Sequence, residues 1–278
     1  MSENPSQDKV VVFYIRRYNP DISPKPYWQE FNVKVHHGMT VLDGLHQIKS
    51  EQDPTLAVRY SCRMGVCGSC GMLLNGKPSL ACNTQILHIA TDRLTLASLP
   101  NFEIIKDLVP DLRPMFKKHI SINPHIMRTD DEEMLNPSGE LYQHPDELTN
   151  YLQFTYCIKC GLCMAACPTM ATDPEYLGPQ VLTQAHRYNS DTRDGGFAVR
   201  REIVGNGAHG AFRCHYAGEC SNVCPKGVDP ARAIQQLKRD LVFDYLKLKK
   251  RKPAADLAVQ PTGVERNPKI PYAPEKTV

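Results

Sequence analysis

The chain has 278 residues, 41% of them hydrophobic and 23% charged, with a formal net charge of +3. That charge is too small to imply nucleic acid as a partner, and nowhere do the roughly 20 successive apolar residues needed to cross a bilayer occur. The first residues, MSENPSQDKV, lack the apolar core of an export signal.

Eleven cysteines change the reading: Cys62, Cys67, Cys70, Cys82, Cys157, Cys160, Cys163, Cys167, Cys214, Cys220 and Cys224. An odd total suits a fully paired secreted scaffold poorly, and a chain of this length can bury a core without disulfides. With no export signal, the expected compartment is the reducing cytoplasmic side, where clustered cysteines read as metal ligands or redox thiols.

In chain order, DKVVVFYIRRYN at 8–19 is a β-rich run, and FNVKV at 31–35 alternates apolar and polar residues as a half-buried strand does. Thr40 then caps a short helix, TVLDGLHQIKS, with Asp43 as the acidic partner of a capping box. Leu42, Leu45 and Ile48 give it an apolar stripe, and Gly44 weakens it modestly. GMLLNGKPSLAC at 71–82 carries Asn75–Gly76, a tight-turn signal, and DRLTLASL at 92–99 supplies a further strand. The first hundred residues thus predict a small mixed sheet crossed by one helix.

Within that sheet lies the first nest of thiols. Cys62, Cys67 and Cys70 form C-x4-C-x2-C, with eleven residues between Cys70 and Cys82. This is the plant-type spacing of a [2Fe–2S] centre, whose chemistry wants four soft thiolates. Gly65, Gly68 and Gly71 let the segment curl and turn its amides toward sulfur, and the Asn75–Gly76 turn returns Cys82 to the same place. A zinc site is the competing reading, although four-cysteine zinc sites favour C-x2-C pairs; a thioredoxin-like pair at Cys67 and Cys70 leaves two cysteines unused. Arg63 reads equally as a group that raises the potential or binds a partner carboxylate, and as an ordinary exposed charge.

Residues 102–126 mix apolar positions with prolines and predict a linker packed between domains, and TDDEEMLNPSGE at 129–140 predicts an acidic exposed loop. From about 146 the pattern is helical. Cys157, Cys160, Cys163 and Cys167, followed by Pro168, make the C-x2-C-x2-C-x3-C-P run of bacterial two-cluster ferredoxins, whose fourth cysteine ligates the other cluster. Cys214-x5-Cys220-x3-Cys224-Pro225 is its counterpart. By the same crossing rule, Cys224 completes a [4Fe–4S] centre with Cys157, Cys160 and Cys163. Cys167, Cys214 and Cys220 remain, because position 217, where a complete run has cysteine, is Ala217. Three thiolates imply a [3Fe–4S] centre, with a non-cysteine fourth ligand, Glu219 or His215, as the alternative.

ARAIQQLKRDLVFDYLKLKK at 231–250 is the strongest helix, with a stripe of Ile234, Leu237, Leu241, Tyr245 and Leu248. Beyond Pro253 the chain is polar and aperiodic, a loose tail or one ordered only against a partner. No CxxCH, GxGxxG or P-loop occurs, and no paired acid–base site is visible. Three centres make an electron conduit, with the chemistry at either end left to partners.

SCRMGVCGSCGMLLNG…LAC, CIKCGLCMAACP and CHYAGECSNVCPKG in this order resemble the iron–sulfur subunit of succinate dehydrogenase or fumarate reductase. The resemblance runs from the first strand through the helix at 231–250. It implies an α+β chain: an N-terminal β-grasp, plant-type ferredoxin domain (1–105), a linker and loop (106–145), an all-helical, bacterial-type two-cluster ferredoxin domain (146–252) and an extended tail (253–278). It implies the same [2Fe–2S], [4Fe–4S] and [3Fe–4S] ligand sets, and places Pro168 and His215 near a quinone. It also implies a place between an FAD-containing flavoprotein and one or more membrane anchor subunits, haem-bearing in some members, peripheral on the cytoplasmic face of the cell membrane. Electrons in such a succinate:quinone oxidoreductase run from succinate through FAD and the three clusters to quinone. A fumarate reductase running in reverse, or a subunit serving another flavin-dependent dehydrogenase, is the alternative.

One departure concerns the quinone. Many ubiquinone-reducing members carry tryptophans shortly after the C-x3-C-P segment, whereas here Pro168-Thr169-Met170-Ala171-Thr172-Asp173 follows and the single tryptophan is Trp28. The pocket is therefore expected to be built differently, which is compatible with menaquinone or another class of anchor. KLKKRK at 247–252 reads equally as a face for anionic lipid and as a basic helix end.

Overall fold

A computed structural model describes residues 9–89, 92–128, 135–136, 140–141, 143–248 and 259–260. Strand β1 (Lys9–Arg17) buries Val11, Phe13, Ile15 and Arg17 on one face. It pairs antiparallel with β2 (Tyr27–Val35), where Phe31 lies opposite Phe13. β2 begins before the alternation at 31–35 because Trp28 stacks on Tyr14 of β1, ring centroids 4.6 Å apart.

Helix α1 (Val41–Glu51) starts at the expected capping box: Thr40 Oγ1 accepts from the Asp43 amide at 3.3 Å, and Asp43 Oδ2 accepts from the Thr40 amide at 2.9 Å. Gly44 has a role its helix propensity hides. A Cβ there would sit 2.6 Å from Phe13 Cζ, so the missing side chain lets α1 lie directly on β1. The hairpin β3 (Gly71–Leu74) and β4 (Lys77–Leu80) follows, then β5 (Arg93–Ala97), which pairs parallel with β1 and antiparallel with β3. The sheet order is β2-β1-β5-β3-β4, a mixed sheet with one helix across it.

The segment read as a linker carries structure of its own: a small hairpin (Ile104–Lys106 with Val109–Pro110) and helix α2 (Arg113–Ser121). Leu108 is buried in the first core and Met115 and Ile122 in the second, while Phe102 packs against both. The second unit is helical. Its frame is α3 (Pro179–Asn189), α4 (Phe197–Val204) and α5 (Pro230–Tyr245), with one-turn helices at Leu162–Ala165, Pro168–Thr172 and Glu219–Asn222. Ile234, Leu237 and Leu241 of α5 are buried as expected. Tyr245 and Leu248 are not: they are 85% and 68% exposed, and the helix stops at Tyr245, short of the predicted 250.

Two buried arginines brace the units. Arg17 binds Asp107 and Asp53 (2.9 and 2.6 Å), and Asp107 also takes the Ala57 amide, fixing the approach to the first cysteine loop. Arg200, fully buried, binds Asp194 and the carbonyls of Ile122 and His125. The acidic loop, the tail and the basic run at 247–252 fall largely outside the described residues; within them, Glu140–Leu141 pairs with Val259–Gln260. Among the described residues no helix is long and apolar enough to cross a membrane.

Candidate iron–sulfur centres

All eleven cysteines are free thiols. The first nest is a loop whose positive φ angles at Arg63, Gly65 and Gly68 (58°, 71° and 76°) turn its amides inward. The amides of Met64, Val66 and Cys67 point at Cys62 Sγ (3.5, 3.3 and 3.3 Å), and that of Gly65 at Cys82 Sγ (3.2 Å). The amide of Cys82 points in turn at Cys70 Sγ (3.4 Å). The Asn75–Gly76 turn brings this about, because the hairpin pairs Gly71 with Leu80 and so sets Cys82 beside Cys70. Amide donors favour the thiolate: those of Met64, Cys67 and Val66 bring Cys62 down to about 6. Burial pushes Cys70 up to about 12, so a metal must supply the charge that draws its proton off. Arg63 is exposed and lies over the Tyr60 ring at 5.4 Å.

In the helical unit Cys157, Cys160, Cys163 and Cys224 line one cavity, with ≈ 390 Å³ free of protein atoms including its mouth. Burial raises Cys157, Cys163 and Cys160, the last to about 12. Cys167, Cys214 and Cys220 line another, of ≈ 330 Å³, together with Ala217, His215 and Pro168. Burial, and then the neighbouring Cys167 and Cys214, raise Cys220 to about 11.

The two cysteine loops repeat one backbone shape. Lys159 and Gly161 have φ of 55° and 81°; Tyr216 and Gly218 have 62° and 79°. Each glycine opens a one-turn helix, Leu162–Ala165 or Glu219–Asn222. In this register Cys157 matches Cys214, Cys163 matches Cys220, and Ala217 stands where the first loop has Cys160. Pro168, His215 and Ala217 are exposed at the mouth of the second cavity.

Among the described residues no three or more His, Cys, Asp or Glu side chains are arranged to hold a single metal ion. Thiol-lined cavities with inward amides instead fit clusters, in which several irons spread the thiolates apart. His215 and Glu219 both border the second cavity.

Comparison with known proteins agrees. Residues 12–117 match the 2Fe-2S iron-sulfur cluster binding domain family, and residues 153–228 the 4Fe-4S dicluster domain family. The fumarate reductase iron-sulfur subunit of Mycobacterium tuberculosis is 44% identical over 85% of this chain and 95% of its own length. The mitochondrial succinate dehydrogenase [ubiquinone] iron-sulfur subunit of Candida glabrata is 39% identical over 86% and 94%. The chain belongs to the succinate dehydrogenase/fumarate reductase iron–sulfur subunit family. A chain of the Mycobacterium smegmatis Sdh1 complex in the apo form shares its fold, with a TM-score of 0.76 at 25% identity, over 86% of this chain and 98% of that one. An iron–sulfur subunit of this family carries electrons within an oxidoreductase complex, and the expected sheet domain followed by a helical domain is what the chain folds into.

Sequence reasoning missed the residues that hold the subunit's cysteine loops in place. Asn101, with φ of 63°, donates to the carbonyls of Met164, Ala165 and Cys167 (3.0, 3.0 and 3.1 Å), tying the helical unit to the end of the sheet. Lys238 Nζ donates to the Cys214 carbonyl at 2.7 Å from α5. Ser221 donates to Asp229, the N-cap of α5, at 2.6 Å. Ser221 lies within the last cysteine motif and Asp229 is a cap, but the contacts of all of them are legible only once the chain is folded.

Proposed function

We propose that this chain holds a [2Fe–2S] centre on Cys62, Cys67, Cys70 and Cys82, a [4Fe–4S] centre on Cys157, Cys160, Cys163 and Cys224, and a [3Fe–4S] centre on Cys167, Cys214 and Cys220. The observation that carries this is the repeated loop geometry with Ala217 in the place of Cys160. When bound, such centres each take up and release one electron. The chain's own part is to bury the thiols, aim amides at sulfur and so set the potentials.

The partners follow from the family. One is an FAD-containing flavoprotein, and Met64 and Val66, 72% and 53% exposed beside Cys62, offer it an apolar surface. The other is a membrane anchor with its quinone, for which the mouth at Pro168 and His215 is the open side of the last centre. The subunit is then peripheral to a membrane complex.

Succinate oxidation was the leading expectation, but fumarate reduction is the better supported direction. Relatives named as fumarate reductase subunits reach 44% and 43% identity, while mitochondrial succinate dehydrogenase subunits reach 39% and 37%. Succinate oxidation stands as the second reading because of the fold shared with the Sdh1 complex.

The test is the intact complex purified anaerobically. Low-temperature EPR should show an oxidised [3Fe–4S] signal that vanishes on reduction and a [2Fe–2S] signal that grows in. Two full four-iron centres by iron analysis, with no such oxidised signal, would sink the terminal assignment. Turnover with quinol and fumarate should exceed turnover with succinate and quinone; the opposite ratio selects the second reading.

A further inference from the structure

Tyr176 is fully buried in the loop between the helix at Pro168–Thr172 and α3. Its hydroxyl is closed off from solvent and makes no hydrogen bond of ordinary geometry, although buried polar groups in native structures are nearly always satisfied. The ring lines the cavity of Cys167, Cys214 and Cys220.

The backbone leaves the ring little freedom. The Tyr176 amide donates to the Asp173 carbonyl at 3.2 Å, and Lys118 Nζ on α2 donates to the Tyr176 carbonyl at 2.7 Å. The next amide, of Leu177, is held by the His209 carbonyl at 2.9 Å. Asp173 is itself held by Arg213 Nε at 3.3 Å. A donor with no hydrogen bond of ordinary geometry has thus been fixed at the cavity that the thiols of Cys167, Cys214 and Cys220 line.

We propose that Tyr176 donates its phenolic hydrogen to a sulfur of the centre held by Cys167, Cys214 and Cys220, and so raises that centre's reduction potential. The inference rests on the ligand assignment above. A hydrogen bond to sulfur favours the reduced, more negative state, so the tyrosine makes electrons rest at the centre nearest the open mouth. Phenylalanine would fill the same space but supply no donor.

The experiment is a redox titration of the intact complex followed by low-temperature EPR, comparing the wild type with Tyr176→Phe. At the wild-type midpoint, the oxidised-to-reduced ratio of the variant's [3Fe–4S] signal should rise several-fold; a tenfold rise corresponds to about 59 mV for one electron. The other two signals should keep their midpoints. Placing 3-fluorotyrosine at 176, a stronger donor of nearly the same shape, should move the ratio the opposite way, and it decides the matter if Tyr176→Phe loses the centre. An unchanged midpoint in the fluorinated protein, or in both, overturns the proposal. A wild-type complex with no oxidised [3Fe–4S] signal overturns the ligand assignment instead, and the role of Tyr176 falls with it.

Discussion

A Cβ placed on Gly68 would lie 2.7 Å from the Cβ of Cys160 and 2.8 Å from its Cα. The first and second cysteine nests therefore meet backbone to side chain, with the glycine's missing side chain as the clearance. Gly68 also sits at φ +76°, a conformation L side chains rarely adopt. Gly68→Ala should destabilise the subunit by about 1–3 kcal/mol from backbone strain, with a similar amount from overpacking. Thermal melting reads the first effect. Rapid-freeze EPR reads the second consequence, a slower passage of electrons between the [2Fe–2S] and [4Fe–4S] signals. A variant that melts and transfers electrons like the wild type would show that the contact sets neither.

Ala217→Cys tests the loop equivalence directly. Tyr216 and Gly218 already hold the backbone in the shape that Lys159 and Gly161 give to Cys160, so the new thiol should face the cavity that Ala217 now lines. The expected outcome is a fourth iron at that centre: the oxidised [3Fe–4S] signal disappears and iron rises by one per subunit. Retention of the oxidised signal would mean that the position cannot reach the cluster despite the matching loop.

The sequence made some of this legible and hid the rest for physical reasons. Alternation at 31–35 in β2, the Thr40–Asp43 box and the Asn75–Gly76 turn are local signals, and each formed as read because only neighbouring residues decide it. Cysteine spacing is local too. Gly44 and Gly68 are different: their meaning depends on Phe13 and Cys160, distant in the chain, so propensity alone scored one as a weakness. The stripe of α5 fails at Tyr245 and Leu248 because periodicity says which face is apolar and not how far the core extends. Asn101, Lys238 and Tyr176 act through backbone carbonyls or a cavity, for which a one-dimensional pattern has no mark.

Arg200 should matter for stability far from any thiol. The side chains of Arg200 and Asp194 are both shielded from solvent, 2.6 Å apart, and Arg200 also donates to the carbonyls of Ile122 and His125 after α2. Removing one partner of a buried pair leaves the other charge uncompensated, at a cost of about 3–5 kcal/mol. Arg200→Met should lower the melting temperature sharply, and Arg200→Met with Asp194→Leu should recover part of the loss. If the double variant is no better than the single one, the carbonyl contacts rather than the charge pair carry the effect.

His119 gives the stability a pH dependence of its own. It is buried on α2 with its Nδ1 3.2 Å from Gln180 Nε2, and burial, followed by repulsion from Lys159, brings it down to about 4. An unfolded histidine titrates near 6.5. Between these values the unfolded chain binds a proton that the folded chain refuses, so stability falls as pH drops from about 6.5 toward 4 and is unaffected above that window. His119→Gln removes the titration. Its melting temperature should change less than that of the wild type between about pH 7 and about pH 5, while acid loss of clusters, common to both, cancels in the difference. Equal pH dependence in the two proteins would mean that His119 is protonated in the folded state as readily as in the unfolded chain, and that the acid sensitivity of the subunit belongs to the thiols alone.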